Sequence, residues 1–335
     1  MCSLYLERTG KVSTSEHINE YFNGKGFMAL SAVALVVMTL MALTLGIQPP
    51  EVKGQGLFYT LQGTLVDAGP VSAGINLLCL LATGAIVLAL NKVYTFVRSM
   101  THMFVSAFFL LQLANPSVLV AFNAGTLLCL VAAVTLMPLF ASFQDGHAQR
   151  SIFLIFALVA TGTMFHYGFI LLIPAYLLGF ANMRALGLKG VLAMLFGLVT
   201  PFWIAFGLGI VSPSDAQLPQ WALLQRPQMS LQLALAVSIA VLGLVLMVSN
   251  LFTIMNYRMQ PRVYNIFLMI MPVMVIIAAC LDYHDLAVFF PLLSLMVAVQ
   301  IAQAYTLWTT FHHRYVFMLL FIVVCLTSAA AFLLP

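Results

Sequence analysis

The sequence predicts an all-α fold, a polytopic bundle of transmembrane helices, and three observations carry that prediction. Of 335 residues, 63% belong to the hydrophobic set, against roughly 45–50% in soluble domains. Charged residues make up 7%, where soluble chains have about 25%, and the mean hydropathy is +1.08. The apolar residues also arrive in blocks: a hydrocarbon core of about 30 Å takes about 20 apolar residues per helix, and runs of that length recur along the chain. A soluble enzyme or a nucleic-acid binder is excluded, because no water-soluble core could bury so much apolar surface. The expected surroundings are a lipid bilayer.

Residues 1–26 read as a polar cytoplasmic segment with Arg8, Lys11 and Lys25 ahead of the first apolar run, which is not the pattern of a cleavable signal. Residues 27–335 read as one transmembrane domain. Its expected spans are Phe27–Ile47, Val71–Leu90, Phe96–Ala114, Val118–Phe140, Val191–Val211, Leu231–Ile254, Tyr264–Leu281, Leu286–Leu307 and Tyr315–Leu334, each set off by charges or by Pro and Gly. Between the fourth and fifth lies Ile152–Asn182, an unbroken apolar run of 31 residues. It is too long for one upright helix and short for two.

Charge counting decides between the two, because Lys and Arg of short loops stay on the cytoplasmic side. If Ile152–Asn182 is a hairpin of two short helices turning near His166 to Gly168, the inside holds Arg8, Lys11, Lys25, Lys92, Arg98, Arg150, Arg184, Lys189, Arg258, Arg262 and Arg314, eleven of the thirteen basic residues. Only Lys53 and Arg226 then face out. A single helix would leave seven inside and six outside. The hairpin is therefore expected, giving eleven membrane segments, a cytoplasmic N-terminus and a periplasmic or extracellular C-terminus.

On that topology Glu51, Asp67, Asp215, Asp282 and Asp285 all face out. An outer acidic rim can hold a divalent cation or supply a carboxylate for acid/base work, although solvated loops also carry acids simply where Lys and Arg are excluded. Glu51, Asp67, Asp282 and Asp285 are the candidate catalytic carboxylates. The tightest polar cluster is Asp282-Tyr283-His284-Asp285, in a short outer turn that could equally be structural. His166 is the second focus, since a titratable ring inside a membrane segment marks a functional site by default, and Tyr167 stands beside it. His166, Tyr167, His284 and Arg226 are candidate substrate-binding residues. Whether a cofactor or a metal is held stays open.

Two outer loops contain more than spacers. Leu57, Leu61 and Leu65 recur every four residues beside Phe58, and Trp221, Leu223 and Leu224 lie between Pro219 and Pro227. Both patterns suit short helices at the outer leaflet. The amides Asn76, Gln112, Asn123, Gln300 and Gln303 fall inside spans, where interhelical hydrogen bonds are expected. Cys79, Cys129, Cys280 and Cys325 sit in apolar runs and no CxxC pair exists, so buried small side chains are expected rather than redox or metal chemistry. GxxxxGK[ST], HExxH, GxSxG and the dinucleotide fingerprint are all missing.

Three segments carry a resemblance: Asn91-Lys-Val-Tyr-Thr-Phe-Val-Arg-Ser-Met100, Phe165-His-Tyr-Gly-Phe-Ile-Leu-Leu-Ile-Pro174, and Phe289-Phe-Pro-Leu-Leu-Ser294 followed by the helix of Gln300 and Gln303. In order and spacing they resemble an uncharacterised family of bacterial polytopic inner-membrane proteins, a domain of unknown function. A more distant likeness is to the membrane modules of type-C glycosyltransferases. The outer Glu51 or Asp67 soon after the first helix, and Arg150 ahead of the short pair, carry it, though the first loop here is small and has no paired acidic motif. What that resemblance implies is a polyprenyl-phosphate-linked sugar as substrate.

Two function classes follow. One is an envelope-biogenesis enzyme or scaffold handling a lipid-linked glycan at the outer face. The other is a transporter or non-catalytic accessory subunit with membrane-protein partners.

Overall fold

The structure, a computed structural model, describes residues 24–50, 56–57, 69–97, 102–210, 214, 231–282 and 285–307. All regular structure among them is helical: α1 Lys25–Thr44, α2 Pro70–Tyr94, α3 Met103–Gln112, α4 Pro116–Leu119, α5 Ala124–Ala141, α6 Gln149–Phe165, a 3-10 segment Tyr167–Leu172, α7 Ile173–Asn182, α8 Leu188–Gly207, α9 Leu231–Ile254, α10 Met259–Leu281 and α11 Leu286–Leu307. Seven of these are long and apolar enough to cross a bilayer, and α3, α6 and the Tyr167–Asn182 stretch are shorter apolar helices. The chain is a multi-pass α-helical membrane protein. The expected last span, Tyr315–Leu334, and the two outer-loop helices at Leu61 and Trp221 lie outside the described residues.

The Ile152–Asn182 run is broken where the charge count requires. At His166 the backbone is extended (φ −156°, ψ 135°), which ends α6, and the 3-10 segment then leads into α7 with Pro174 near its start. The two ends of this pair away from His166 return to one place: Gln144 N–H donates to the Met183 carbonyl at 2.9 Å, and Asn182 Nδ2 donates to the Val263 carbonyl at 3.2 Å. Arg150 and Arg184 therefore lie at the same end of the bundle.

Two spans differ from expectation. Phe96–Ala114 is helical only over Met103–Gln112 among the described residues, because α2 runs on to Tyr94 and Thr95 then takes a left-handed conformation (φ 46°). Asn91 Oδ1 accepts the Val97 N–H at 2.9 Å and fixes this exit. Val118–Phe140 is likewise not one helix. Asn123 caps a new start, its side chain accepting the Thr126 N–H at 3.0 Å. The carbonyls of Val118 and Leu119, freed by the break, accept from Asn76 Nδ2 at 2.9 and 3.2 Å. A backbone interruption in a membrane needs such partners.

The core is built around α11, whose span is 94% buried. It packs against α3, α5, α9 and α10. Helix α8 lies at the periphery on α6, its span 17% buried. At the end carrying Tyr264, rings interlock: Phe140 stacks on Tyr264 at 4.5 Å between centroids, and Tyr94 meets both edge-on at 5.6 Å. The opposite end carries His166.

Candidate functional site

Two stretches remote in sequence meet at the His166 end. The first is the break between α6 and the 3-10 segment. The second is the passage from the close of α10 to the start of α11, where the Asp285 N–H donates to the Asp282 carbonyl at 3.3 Å. Part of the first long loop reaches the same end: Leu57 N–H donates to the Thr163 carbonyl at 3.1 Å. Gly56 is required there, since a Cβ would stand 2.1 Å from the Met164 carbonyl oxygen.

His166 Nε2 and Asp285 Oδ2 are 3.0 Å apart, with both residues buried. The second ring nitrogen is also engaged, for the Gly168 N–H donates to Nδ1 at 2.9 Å. Because an N–H can only donate, Nδ1 carries a lone pair and the ring proton sits on Nε2, pointing at Asp285. Gly168 makes this approach possible, as a Cβ there would lie 2.9 Å from Nδ1 and 3.1 Å from the Phe289 ring. Asp285 stands at the N-terminal end of α11, where the helix dipole favours an anion.

Asp282 completes the group. One nitrogen of His166 and one oxygen from each of Asp282 and Asp285 all lie within 4.8 Å of one another. Asp282 sits just beyond the last residue of α10, outside the membrane-spanning segment, and burial first, then the neighbouring Asp285 charge, pushes its carboxyl up to about 6 against a smaller lowering by His166.

Such a trio invites a metal, but the ring does not fit one. A metal-ligating histidine donates its other N–H to an acceptor, and here the other nitrogen faces a donor, Gly168 N–H. Coordination through Nε2 would move the ring proton onto Nδ1 and set two donors against each other. That leaves two carboxylates from the described residues, far short of the six to eight oxygens that Ca²⁺ takes.

No family model, curated protein or solved structure matches the chain.

Of the sequence-derived candidates, the structure brings His166, Asp282 and Asp285 together, with Tyr167 buried at the start of the 3-10 segment. Glu51, Asp67, Arg226 and His284 lie outside the described residues. Sequence named Gly168 only as part of the hairpin turn, not for its contact with the His166 ring, and did not single out Gly56. A cleft of about 390 Å³ lies at the other end of the bundle, lined by Thr95, Asn256, Tyr257, Arg258 and Pro261.

Of the amides expected to bond between helices, Asn76, Gln112, Gln300 and Gln303 do so, whereas Asn123 bonds locally to Thr126 and Ala121 as a helix cap. Asn250 Nδ2 donates to the Gln300 carbonyl at 2.9 Å, Gln300 Nε2 to the Leu268 carbonyl at 3.2 Å, Gln303 Nε2 to Asn265 Oδ1, and Gln112 Nε2 to the Pro291 carbonyl at 3.4 Å. Among the described residues Gln112 Oε1, Asn250 Oδ1, Ser294 Oγ and Gln303 Oε1 are buried without a partner.

Proposed function

We propose that the chain is a bacterial inner-membrane protein, with its N-terminus in the cytoplasm and its His166 end outside, that handles a polyprenyl-phosphate-linked glycan in envelope biogenesis. The eleven-to-two split of basic residues supports this orientation. The observation that carries the functional part is the meeting of His166, from the break after α6, with Asp282 and Asp285 of a single turn, beside Gly56 and Leu57 of the first loop. A ring and two carboxylates that meet can share a task that scattered groups cannot.

In this reading Asp282 receives the proton of an acceptor hydroxyl as it attacks the sugar carbon bonded to phosphate, and the lipid phosphate leaves with the bonding electron pair. His166 holds Asp285, and the nearby Asp285 charge, with burial, keeps the Asp282 carboxylate ready to take that proton. Glu51 and Asp67 of the first loop are further carboxylates for the same surface, and Tyr167, His284 and Arg226 supply contacts to the glycan or its phosphate. Arg226 is suited to the phosphate because its planar fork matches two oxygens.

One observation favours the accessory-subunit or transporter alternative. The cleft of about 390 Å³ opens at the end away from His166. Replacement of Asp282 by Asn in cells separates the two: the enzymatic reading expects altered surface glycans and a build-up of the lipid-linked intermediate with normal membrane insertion. Unchanged glycans with normal insertion would transfer support to the accessory subunit. Orientation is tested by external labelling of introduced cysteines in a cysteine-free background, with Gln55 and Gln217 reactive and Gly146 and Gly187 protected.

A further inference from the structure

We propose that His166, Asp282 and Asp285 form a proton-holding centre, in which the imidazole is locked as its Nε2–H tautomer and Asp282 takes up and releases the proton. This goes beyond the glycan reading and holds whatever the substrate.

The lock comes from two contacts on opposite edges of one ring. Gly168 N–H occupies the Nδ1 lone pair at 2.9 Å, and Nε2–H is directed at Asp285 Oδ2 at 3.0 Å. Neither contact can be reversed alone, because the Gly168 amide has only a proton to offer. The ring is thereby a fixed donor toward Asp285. Asp285 accepts a hydrogen bond from the ring and stands at the favourable end of the α11 dipole.

Asp282 has none of these supports. Its side chain makes no hydrogen bond among the described residues, yet its carboxyl lies within 4.8 Å of both partners. Two carboxylates so close in a desolvated site repel strongly, and a proton on one of them relieves the repulsion. Exposure decides which: Asp282 is 6% exposed and Asp285 1%, so Asp282 is the member that can exchange with water. Its upward displacement to about 6, caused first by burial and second by Asp285, agrees with this geometry.

The break after α6 brings His166 to Asp282, and the start of α11 brings Asp285. Tyr167 follows His166, buried at the start of the 3-10 segment. Helix α6 offers the Thr163 and Met164 carbonyls to Gly56 and Leu57, and α5 packs Gly125 on Val288 of α11 without a titratable group. His284, in the same turn, and Glu51, in the first loop, lie outside the described residues. A centre built this way binds one proton per molecule near neutral pH. It can therefore couple substrate arrival at the outer face to proton uptake or release.

The test uses the full-length protein in lipid nanodiscs. With ¹⁵N-labelled histidine, and the His166→Gln variant to assign the signal, Nδ1 of His166 should show the shift of an unprotonated nitrogen and Nε2 that of a protonated one at pH 8. Saturating Zn²⁺ or Mn²⁺ should leave both unchanged. In infrared difference spectra between about pH 5 and 8, one protonated-carboxyl band should disappear on raising the pH. That band should be missing in Asp282→Asn and shifted, but present, in Asp282→Glu, which retains the titrating group if the asparagine variant does not fold. An Nδ1–H tautomer, a metal-induced shift or broadening of the His166 signal, or a carboxyl band that is unmoved by both Asp282 variants would overturn the proposal.

Discussion

Helices α8 and α11 have almost the same mean hydropathy, 1.9 and 2.0, yet α8 is 17% buried over its span and α11 94%. In water such a pair would be unthinkable, since both would be driven inside. In a bilayer, lipid tails satisfy an apolar surface as well as protein does, so hydropathy selects the membrane and something else selects the core. The difference lies in the minority residues. Helix α11 starts directly after the buried Asp285 and carries Ser294, Gln300 and Gln303, each buried, whereas α8 presents Trp203, Phe196 and Leu188 outward and buries only Gly190, Gly197 and Ala205. Polar groups that cannot face acyl chains pull one helix to the centre. Small residues let the other lie flat on its neighbour.

The largest expected effect is at the end of the buried helix. Asp285→Ala removes the acceptor of the His166 Nε2–H inside a dry site, and a hydrogen bond to a charged group contributes about 1.5–3 kcal/mol. Unfolding of the purified protein in mixed detergent and SDS should show a loss of that order. A variant as stable as the parent would mean that α11 does not begin in the cluster.

The peripheral helix should be sensitive only along its small-residue stripe. A Cβ on Gly197 would stand 2.7 Å from the Phe153 carbonyl oxygen of α6. Gly197→Val should cost about 1–3 kcal/mol through overpacking, in the same assay. Normal stability would show that α8 does not rest on α6.

Asp282 adds a dependence on pH whose sign is fixed by its raised pKa. Its ordinary value is 3.8 and the folded value about 6. Between these the unfolded chain has already released the proton that the folded one retains. Stability therefore falls as pH rises from about 4 to about 6 and stays at the lower level above it. Asp282→Asn should remove that fall, so the variant gains on the parent as pH rises. A parallel pair of curves would contradict the assignment.

Smaller effects lie in the interior amides and on the lipid face. Gln303→Leu gives up the bond to Asn265 but also buries one fewer unpartnered oxygen, and interhelical hydrogen bonds in membranes average about 0.6 kcal/mol. Trp203→Ala, at a position 76% exposed on the bundle surface, should stay within about 0.5 kcal/mol. Should Trp203→Ala cost more than Gln303→Leu, the contrast between the two helices would fail.

Much of this fold was legible in the sequence because a membrane imposes coarse, one-dimensional rules. Length and apolarity located most spans, and the placement of Arg150, Arg184 and Lys189 on one side forced the break at His166 that the backbone shows. The same rules could not see the start of α5. Val118–Phe140 is apolar almost throughout, and only Asn123 and the distant Asn76 reveal the interruption. Phe96 was read as the beginning of a span but serves as a connector, its carbonyl accepting from Asn265 Nδ2 at 2.9 Å.

The candidate site was legible as parts and not as a whole. His166 stood out as a titratable ring in an apolar run, and Asp282 with Asp285 as a tight pair. Their meeting joins residues 119 positions apart, which no local pattern encodes. The role of Gly168 was hidden for the same reason. A glycine two residues after a histidine means little until the ring is seen to accept from its amide.

The central claim is that the ring and the carboxylate act as one unit at the head of α11, and a double-mutant cycle tests it most directly. His166→Ala, Asp285→Ala and the double variant would be unfolded in one SDS series at neutral pH. The structure predicts that each single variant loses stability and that the double loses little more than either, a coupling of about 1 kcal/mol or more, as expected for residues in direct contact. Losses that simply add would contradict it.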